Sequence, residues 1–143
     1  MIRVANRFDA DEVAALMRQF RAESPLADVY GNDEEHFAQL FTNIVAGQGV
    51  IFFAEGKGLM MGIILPSIWS GRVMALHELA WYVKPEHRNS TVGARLFKAY
   101  VEHGKQLKAS GRISFFTVSK MVSSPTLKYE KHGFRKIDEN WIQ

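Results

Sequence analysis

VKPEHRNSTVGARLF, residues 83–97, joins an apolar strand to a helix through a proline, an arginine and a run of small polar residues. Pro85 has no N–H to give to a strand ladder, so the strand before it ends there. After the turn, Val92, Leu96, Phe97, Tyr100, Val101, Gly104 and Leu107 fall on one helical stripe. Residues 88–94 therefore carry the chain into a helix start, where backbone N–H groups lack partners and the helix dipole is positive. Such a start binds anions. Gly93 permits close backbone approach, and Arg88 offers a charged, bidentate contact. The same residues also fit an ordinary capped helix with a solvated arginine. The phosphate fingerprints GxxxxGK[ST] and GxGxxG are absent.

Working outward, residues 73–83 form a long, nearly apolar strand, expected to be central and buried on both faces. Upstream, strands at 50–54 and 59–65 flank the turn Glu55-Gly56-Lys57-Gly58 and read as a hairpin. Residues 2–5 are an edge-strand candidate. Asp9 with Glu12 reads as a capping box for a helix on Val13, Leu16, Met17 and Phe20 that runs to about Glu23. Asn32 with Glu35 repeats the signal for a second helix, lined by Phe37, Leu40, Phe41, Ile44 and Val45 and ended by Gly47. Downstream, Gly111 stops the long helix, 113–118 is a strand, 125–131 a short helix closed by Gly133, and 134–142 a last strand. The order is β-α-α-β-β-β-α-β-α-β. Strand–helix–strand runs imply parallel crossovers, and the hairpin implies antiparallel pairing, so the sheet is expected to be mixed with helices on both faces.

Composition narrows the chemistry. The 143 residues suit one domain, 1–143, with no repeat or linker dividing it. With no cysteine, disulfides, thiolate catalysis and zinc–thiolate sites are excluded. The histidines at 36, 77, 87, 103 and 132 show no metal-ligand spacing, so no metal is expected. No apolar run is long enough to span a bilayer. Arg3, Arg7, Asp9 and Asp11 interrupt the start, so no signal peptide is read there and a cytoplasmic protein is expected. The net charge of +3 suits a small anionic ligand and is too dispersed for nucleic acid.

The segment Leu79-Ala80-Trp81-Tyr82-Val83-Lys84-Pro85-Glu86-His87-Arg88, followed by Gly93-Ala94, resembles the acetyl-CoA-binding signature of the GNAT superfamily of N-acyltransferases. That signature is a strand ending in V-x-P-x-x-R, a turn R/Q-x-x-G-x-G/A, and a helix. Downstream, Leu127-Lys128-Tyr129-Glu130-Lys131-His132-Gly133-Phe134 resembles the family's L-Y-E-K-x-G-F segment, with one helix and one strand between the two. The element order matches along essentially the whole chain. Two departures stand out: Thr91 replaces the first glycine of the turn, and Val122 and Ser123 lie where an asparagine is common.

The resemblance implies an α/β (α+β) fold with a mixed, mostly antiparallel twisted sheet of six to seven strands. It implies acetyl-CoA as cofactor, its pyrophosphate on the backbone of Asn89, Ser90, Thr91, Val92, Gly93 and Ala94, beside Arg88. The pantetheine arm would pair with the edge at Trp81, Tyr82 and Val83, where the central strand splays from 113–118; a strand edge does offer unpaired amides to its two peptide-like groups. It also implies Tyr129 as general acid to the leaving thiolate, and a phenol is protonated at neutral pH.

Acyl transfer to an amine also needs a base. His77 and Glu78 are the only ionisable residues inside the central strand, and each is a candidate. Being adjacent, they face opposite sides of a regular strand; a bulge, usual in the family, decides which meets the cleft. The connection 24–35 between the first helices, with Asp28, Asp33, Glu34 and Glu35, would wall the acceptor site. The expected function is acetyl transfer from acetyl-CoA to a primary amine, small or peptidic, within a ternary complex. The alternative is a GNAT-fold module that binds acyl-CoA without catalysis. Family members often dimerise.

Overall fold

Turn chemistry and apolar alternation build the sheet. In the computed structural model, which describes residues 1–143, the expected hairpin joins β2 (Gly49–Ala54) to β3 (Gly58–Pro66). β1 (Arg3–Val4) pairs antiparallel with β2, and β3 pairs antiparallel with β4 (Met74–Val83). β5 (Phe115–Thr117) runs parallel to β4, and the sheet order is β1-β2-β3-β4-β5.

The sheet is mixed and mostly antiparallel, but it has five strands rather than six or seven. The strand expected at 134–142 does not form. Alternation there would place Phe134, Lys136, Asp138 and Asn140 on one face and Arg135, Ile137, Glu139 and Trp141 on the other, so neither face is continuously apolar. The strand expected at 113–118 shrinks to the three residues of β5. Only β4 to β5 is a parallel crossover. Between β1 and β2 the chain makes two helical passes, out and back, so β2 returns antiparallel to β1. β4 is less buried than expected, with Leu79 exposed and Glu78 half-buried.

The helices are α1 (Ala10–Glu23), the single turn α2 (Ala27–Tyr30), α3 (Glu34–Asn43) and α4 (Val92–Ala109). Their capping bonds are shifted from the expected ones, by three residues before α1 and by one at α3. Asn6 and Asp9 form the capping box, around a 3₁₀ turn that leads into α1. Glu12 instead accepts the Gly56 N–H at 2.6 Å, tying α1 to the hairpin. Asp33, not Asn32, caps α3 by accepting the His36 N–H at 3.0 Å. Gly47, at φ 124°, ends the π turn that follows α3. The short helix expected at 125–131 is a 3₁₀ turn, Tyr129–His132, closed by Gly133 at φ 86°. No helix is long and apolar enough to cross a membrane.

Alternation along β2, β3 and β4 sorts side chains into two cores. Val50, Phe52, Met60, Ile64 and Leu76 meet Val92, Leu96, Phe97, Tyr100 and Val101 of α4. On the other face Ile51, Phe53, Leu59, Met61, Ala80 and Tyr82 meet Val13, Leu16, Phe41 and Ile44. Each fully buried side chain of this size contributes about 1.5–3 kcal/mol. Two glycines set how closely α4 approaches the sheet. A Cβ on Gly62 would lie 2.9 Å from both Leu76 and the Tyr100 ring, and one on Gly104 would lie 2.6 Å from the Phe116 ring.

Candidate active site

The parallel ladder between β4 and β5 contains only Ala75↔Phe115, Leu76↔Phe116 and His77↔Thr117. Beyond His77 the strands part, and the outer edge of β4 has no strand partner. A bulge lies just past that point: Gly62 of β3 opposes Glu78, and Met61 opposes Ala80, leaving Leu79 extra. The bulge reverses the faces. Unbroken alternation would put His77 with Trp81 and Val83. Instead Glu78 shares the α4 face with Leu76, Trp81 and Val83, while Ala80 and Tyr82 turn to the α1 face.

Glu78 is half-buried, and its Oε2 accepts the Ser119 N–H at 3.1 Å. Burial raises its pKa to about 7, against the smaller opposing pull of that hydrogen bond. A carboxylate poised there can take a proton near neutral pH. Tyr129 lies on the same side of the sheet. Its pKa is raised by burial and then by the Glu78 charge, so its phenol stays protonated. Phe97 of α4 holds it in place, 6.2 Å away edge to face, and also stacks on Trp81 at 5.2 Å. The structure thus brings Glu78 and Tyr129 together. His77 faces the other side, hydrogen-bonded through Nδ1 to Thr117 Oγ1 at 2.9 Å and edge-on to Phe115.

The turn into α4 fits an anion. The N–H groups of Asn89, Thr91, Gly93 and Ala94 have no acceptor within the chain. The Thr91 hydroxyl makes no capping bond, so it is free beside them. A Cβ on Gly93 would make only an ordinary contact with Val83 at 3.7 Å, so internal packing does not demand a glycine there. Val92 is buried and anchors the helix start in the core. The Ser90 hydroxyl is spent locally: it donates to the His87 carbonyl at 2.5 Å and accepts from the Val92 N–H at 3.3 Å.

Arg88 does not extend into this turn. Its Nε donates to the Val83 carbonyl at 2.9 Å and its Nη2 to Glu23 Oε1 at 2.7 Å, over the Tyr82 ring. Tyr82 is buried, and its phenol donates to Glu23 Oε2. Burial and that bond push the phenol up to about 12. Burial acts to raise the Glu23 carboxyl, but its bonds with Tyr82 and Arg88 outweigh this and lower it. Of the three edge residues, Trp81 stacks into the α4 core and Tyr82 into the α1 core, so each can offer only its backbone to the fork.

The acidic connection follows Glu23 and borders a groove. Asp33 and Glu34 line a groove of about 500 Å³ between α1 and α3, with Arg18, Arg21 and Tyr30. Arg18 pairs with Glu34 at 3.1 Å, and Arg21 donates to the Gly31 carbonyl at 2.6 Å. No local pattern marks Glu23, Tyr100, Thr117 or Ser119 as site residues, because each touches the site through a contact distant in the chain.

The model of the acetyltransferase (GNAT) family matches residues 13–134. No curated protein matches the chain. Among solved structures, a predicted acetyltransferase from Clostridium acetobutylicum, crystallised with acetyl-CoA, is 17% identical with a TM-score of 0.72, covering 100% of this chain and 94% of its own. An aminoglycoside acetyltransferase from an uncultured soil metagenomic sample is 16% identical at a TM-score of 0.67, covering 100% and 92%. A Trypanosoma brucei acetyltransferase is 17% identical at a TM-score of 0.67, covering 100% and 97%. At these identities the likeness is one of fold.

Proposed function

Because the chain belongs to the acetyltransferase (GNAT) family, we propose that it transfers an acetyl group from acetyl-CoA to a primary amine, directly, within a ternary complex. The observation that carries this reading is that Glu78 and Tyr129 lie on one side of a strand fork, near enough for the Glu78 charge to act on the phenol, in a chain whose next helix opens with unpaired N–H groups. Acetyl-CoA would supply an acyl carbon activated as a thioester. The N–H groups of Asn89, Thr91, Gly93 and Ala94 would hold its pyrophosphate, with the Thr91 hydroxyl in place of the family's glycine. The open edge of β4 would hold the pantetheine amides. Glu78 removes one proton of the incoming ammonium, directly or through a water; the amine then attacks the thioester carbonyl, the C–S bond breaks, Tyr129 protonates the leaving thiolate, and the second proton of the nitrogen restores the phenol. The base is Glu78 rather than His77, because the bulge turns Glu78 toward Tyr129 and Nδ1 of His77 is already engaged. The aminoglycoside acetyltransferase among the structural neighbours supports a small-molecule amine as acceptor.

The test is calorimetric titration with acetyl-CoA, followed by a screen of primary amines for CoA release. A thiol reagent reads that release without background, since the chain has no cysteine. Micromolar binding and amine-dependent release are expected. Absence of acetyl-CoA binding would overturn the reading.

A further inference from the structure

The fork opens at Thr117, and Thr117 is held from both faces of the sheet. It is the last residue of β5 in the ladder. Its hydroxyl bonds His77 Nδ1 at 2.9 Å on one face. On the other, its carbonyl accepts from the Tyr100 phenol at 2.7 Å. Tyr100 is fully buried, and its ring can descend over the sheet only because position 62 is a glycine. Two residues past Thr117, the Ser119 N–H orients the Glu78 carboxylate. A three-pair ladder at a sheet edge has little backbone pairing to hold its end, so these two side-chain bonds decide where the strands part. They also decide where Ser119, and through it the carboxylate of Glu78, is placed.

We propose that Thr117 is a positioning residue, clasped by His77 and Tyr100, that fixes the apex of the β4–β5 fork and so the placement of the Glu78 carboxylate against the reacting thioester. The inference rests on the acetyltransferase reading above. It gives His77 a role its place on the far face allows. It also explains a polar clasp at a point where a valine would pack as well: hydrogen bonds fix direction, and apolar contact alone does not. A misplacement of about 1 Å between base and reacting atoms costs on the order of 100-fold in rate.

The test compares wild type with Thr117→Val, Thr117→Ser and Tyr100→Phe. Acetyl-CoA is used with the fastest amine of the screen and, in parallel, without an amine, following CoA release into water. Calorimetry gives the acetyl-CoA Kd, and urea unfolding the stability. Thr117→Val keeps the shape and loses the hydroxyl. It is expected to lower kcat at least about 10-fold while the Kd, which the backbone of the α4 turn and of β4 would set without the Thr117 side chain, moves less than about 3-fold. Thr117→Ser, which keeps the hydroxyl, should recover most of that loss. Tyr100→Phe should lower kcat in the same way. If Thr117→Val matches wild type in kcat, if serine rescues nothing, or if kcat falls and Kd rises together in step with lost stability, the clasp has no positioning role. A wild type that binds acetyl-CoA and releases CoA, beside an unaffected Thr117→Val, overturns this inference alone. A wild type that does not bind acetyl-CoA overturns the acetyltransferase reading and this one with it.

Discussion

Glu78, the base in the reading proposed above, is half-buried on the α4 face of the sheet. Its folded pKa, about 7, stands above the ordinary carboxylate value because burial disfavours the charge. A raised value means the folded state binds the proton more tightly than the unfolded chain. The associated stability is therefore fully present below the unfolded pKa and is lost as pH rises through about 7. Glu78→Gln should remove that loss, stabilising the protein above pH 7 by on the order of 2 kcal/mol once the solvent Glu78 still touches is allowed for. The urea midpoint of both proteins across pH checks this. The same substitution should cut kcat by about 10²–10⁴ and abolish the acidic limb of the pH–rate profile. Tyr129→Phe keeps the contact with Phe97 and loses only the proton donor. It should lower kcat about 10-fold or more while leaving acetyl-CoA affinity within about 3-fold, as kcat and a calorimetric Kd will show.

At the scale of elements, α4 and the strand before it do most of the arranging. Gly104 sits against the Phe116 ring with no room for a methyl group. Gly104→Ala should therefore destabilise the protein by about 1–3 kcal/mol, despite alanine's better helix propensity, as thermal or urea unfolding will show. Much of α4 was legible beforehand, because residues 92–107 carry a continuous stripe and Pro85 and Gly111 bracket it. The turn at residues 88–94 was legible for the same local reason: strand end, turn and helix start follow one another in the chain. What decides between His77 and Glu78 was not. The bulge at Leu79 arises from how β3 and β4 fit together, and nothing in HELAWYV breaks alternation visibly. The ion pair of Arg88 with Glu23 was not legible either, because Glu23 lies at the far end of α1 and only the fold makes them neighbours. The last strand failed for the opposite reason. Two apolar ends, Phe134 and the pair Trp141 and Ile142, suggested a strand whose middle never alternated.

Across the whole molecule, two carboxylates pull the pH dependence of stability in opposite directions. Asp9 accepts both Arg3 guanidinium nitrogens, at 2.8 and 2.7 Å, and the Asn6 N–H at 2.8 Å. The Arg3 hydrogen bond is the larger reason its pKa falls to about 2, against a smaller opposing effect of burial. A depressed value contributes stability above the ordinary carboxylate pKa and loses it as pH falls toward about 2. Combined with Glu78, this places the joint optimum of the two groups in mildly acidic solution, between those limits. Asp9→Ala should cost about 1 kcal/mol at neutral pH through the lost cap and flatten the acid side of the curve, measured by urea unfolding at each pH.

The three-pair ladder also sets a timescale. Amides of Ala75, Leu76 and His77 lie in paired backbone between two cores and should exchange with deuterium only when much of the molecule opens. Those of residues 78–83 that face the fork need no such opening and should exchange within seconds to minutes, along with the unpaired amides of Asn89, Thr91, Gly93 and Ala94. A ligand laid along that edge as an added strand would slow both groups at once, although they lie on different elements. Deuterium uptake would thus trace the path of a bound acyl donor residue by residue, with no acceptor yet identified and no reaction taking place.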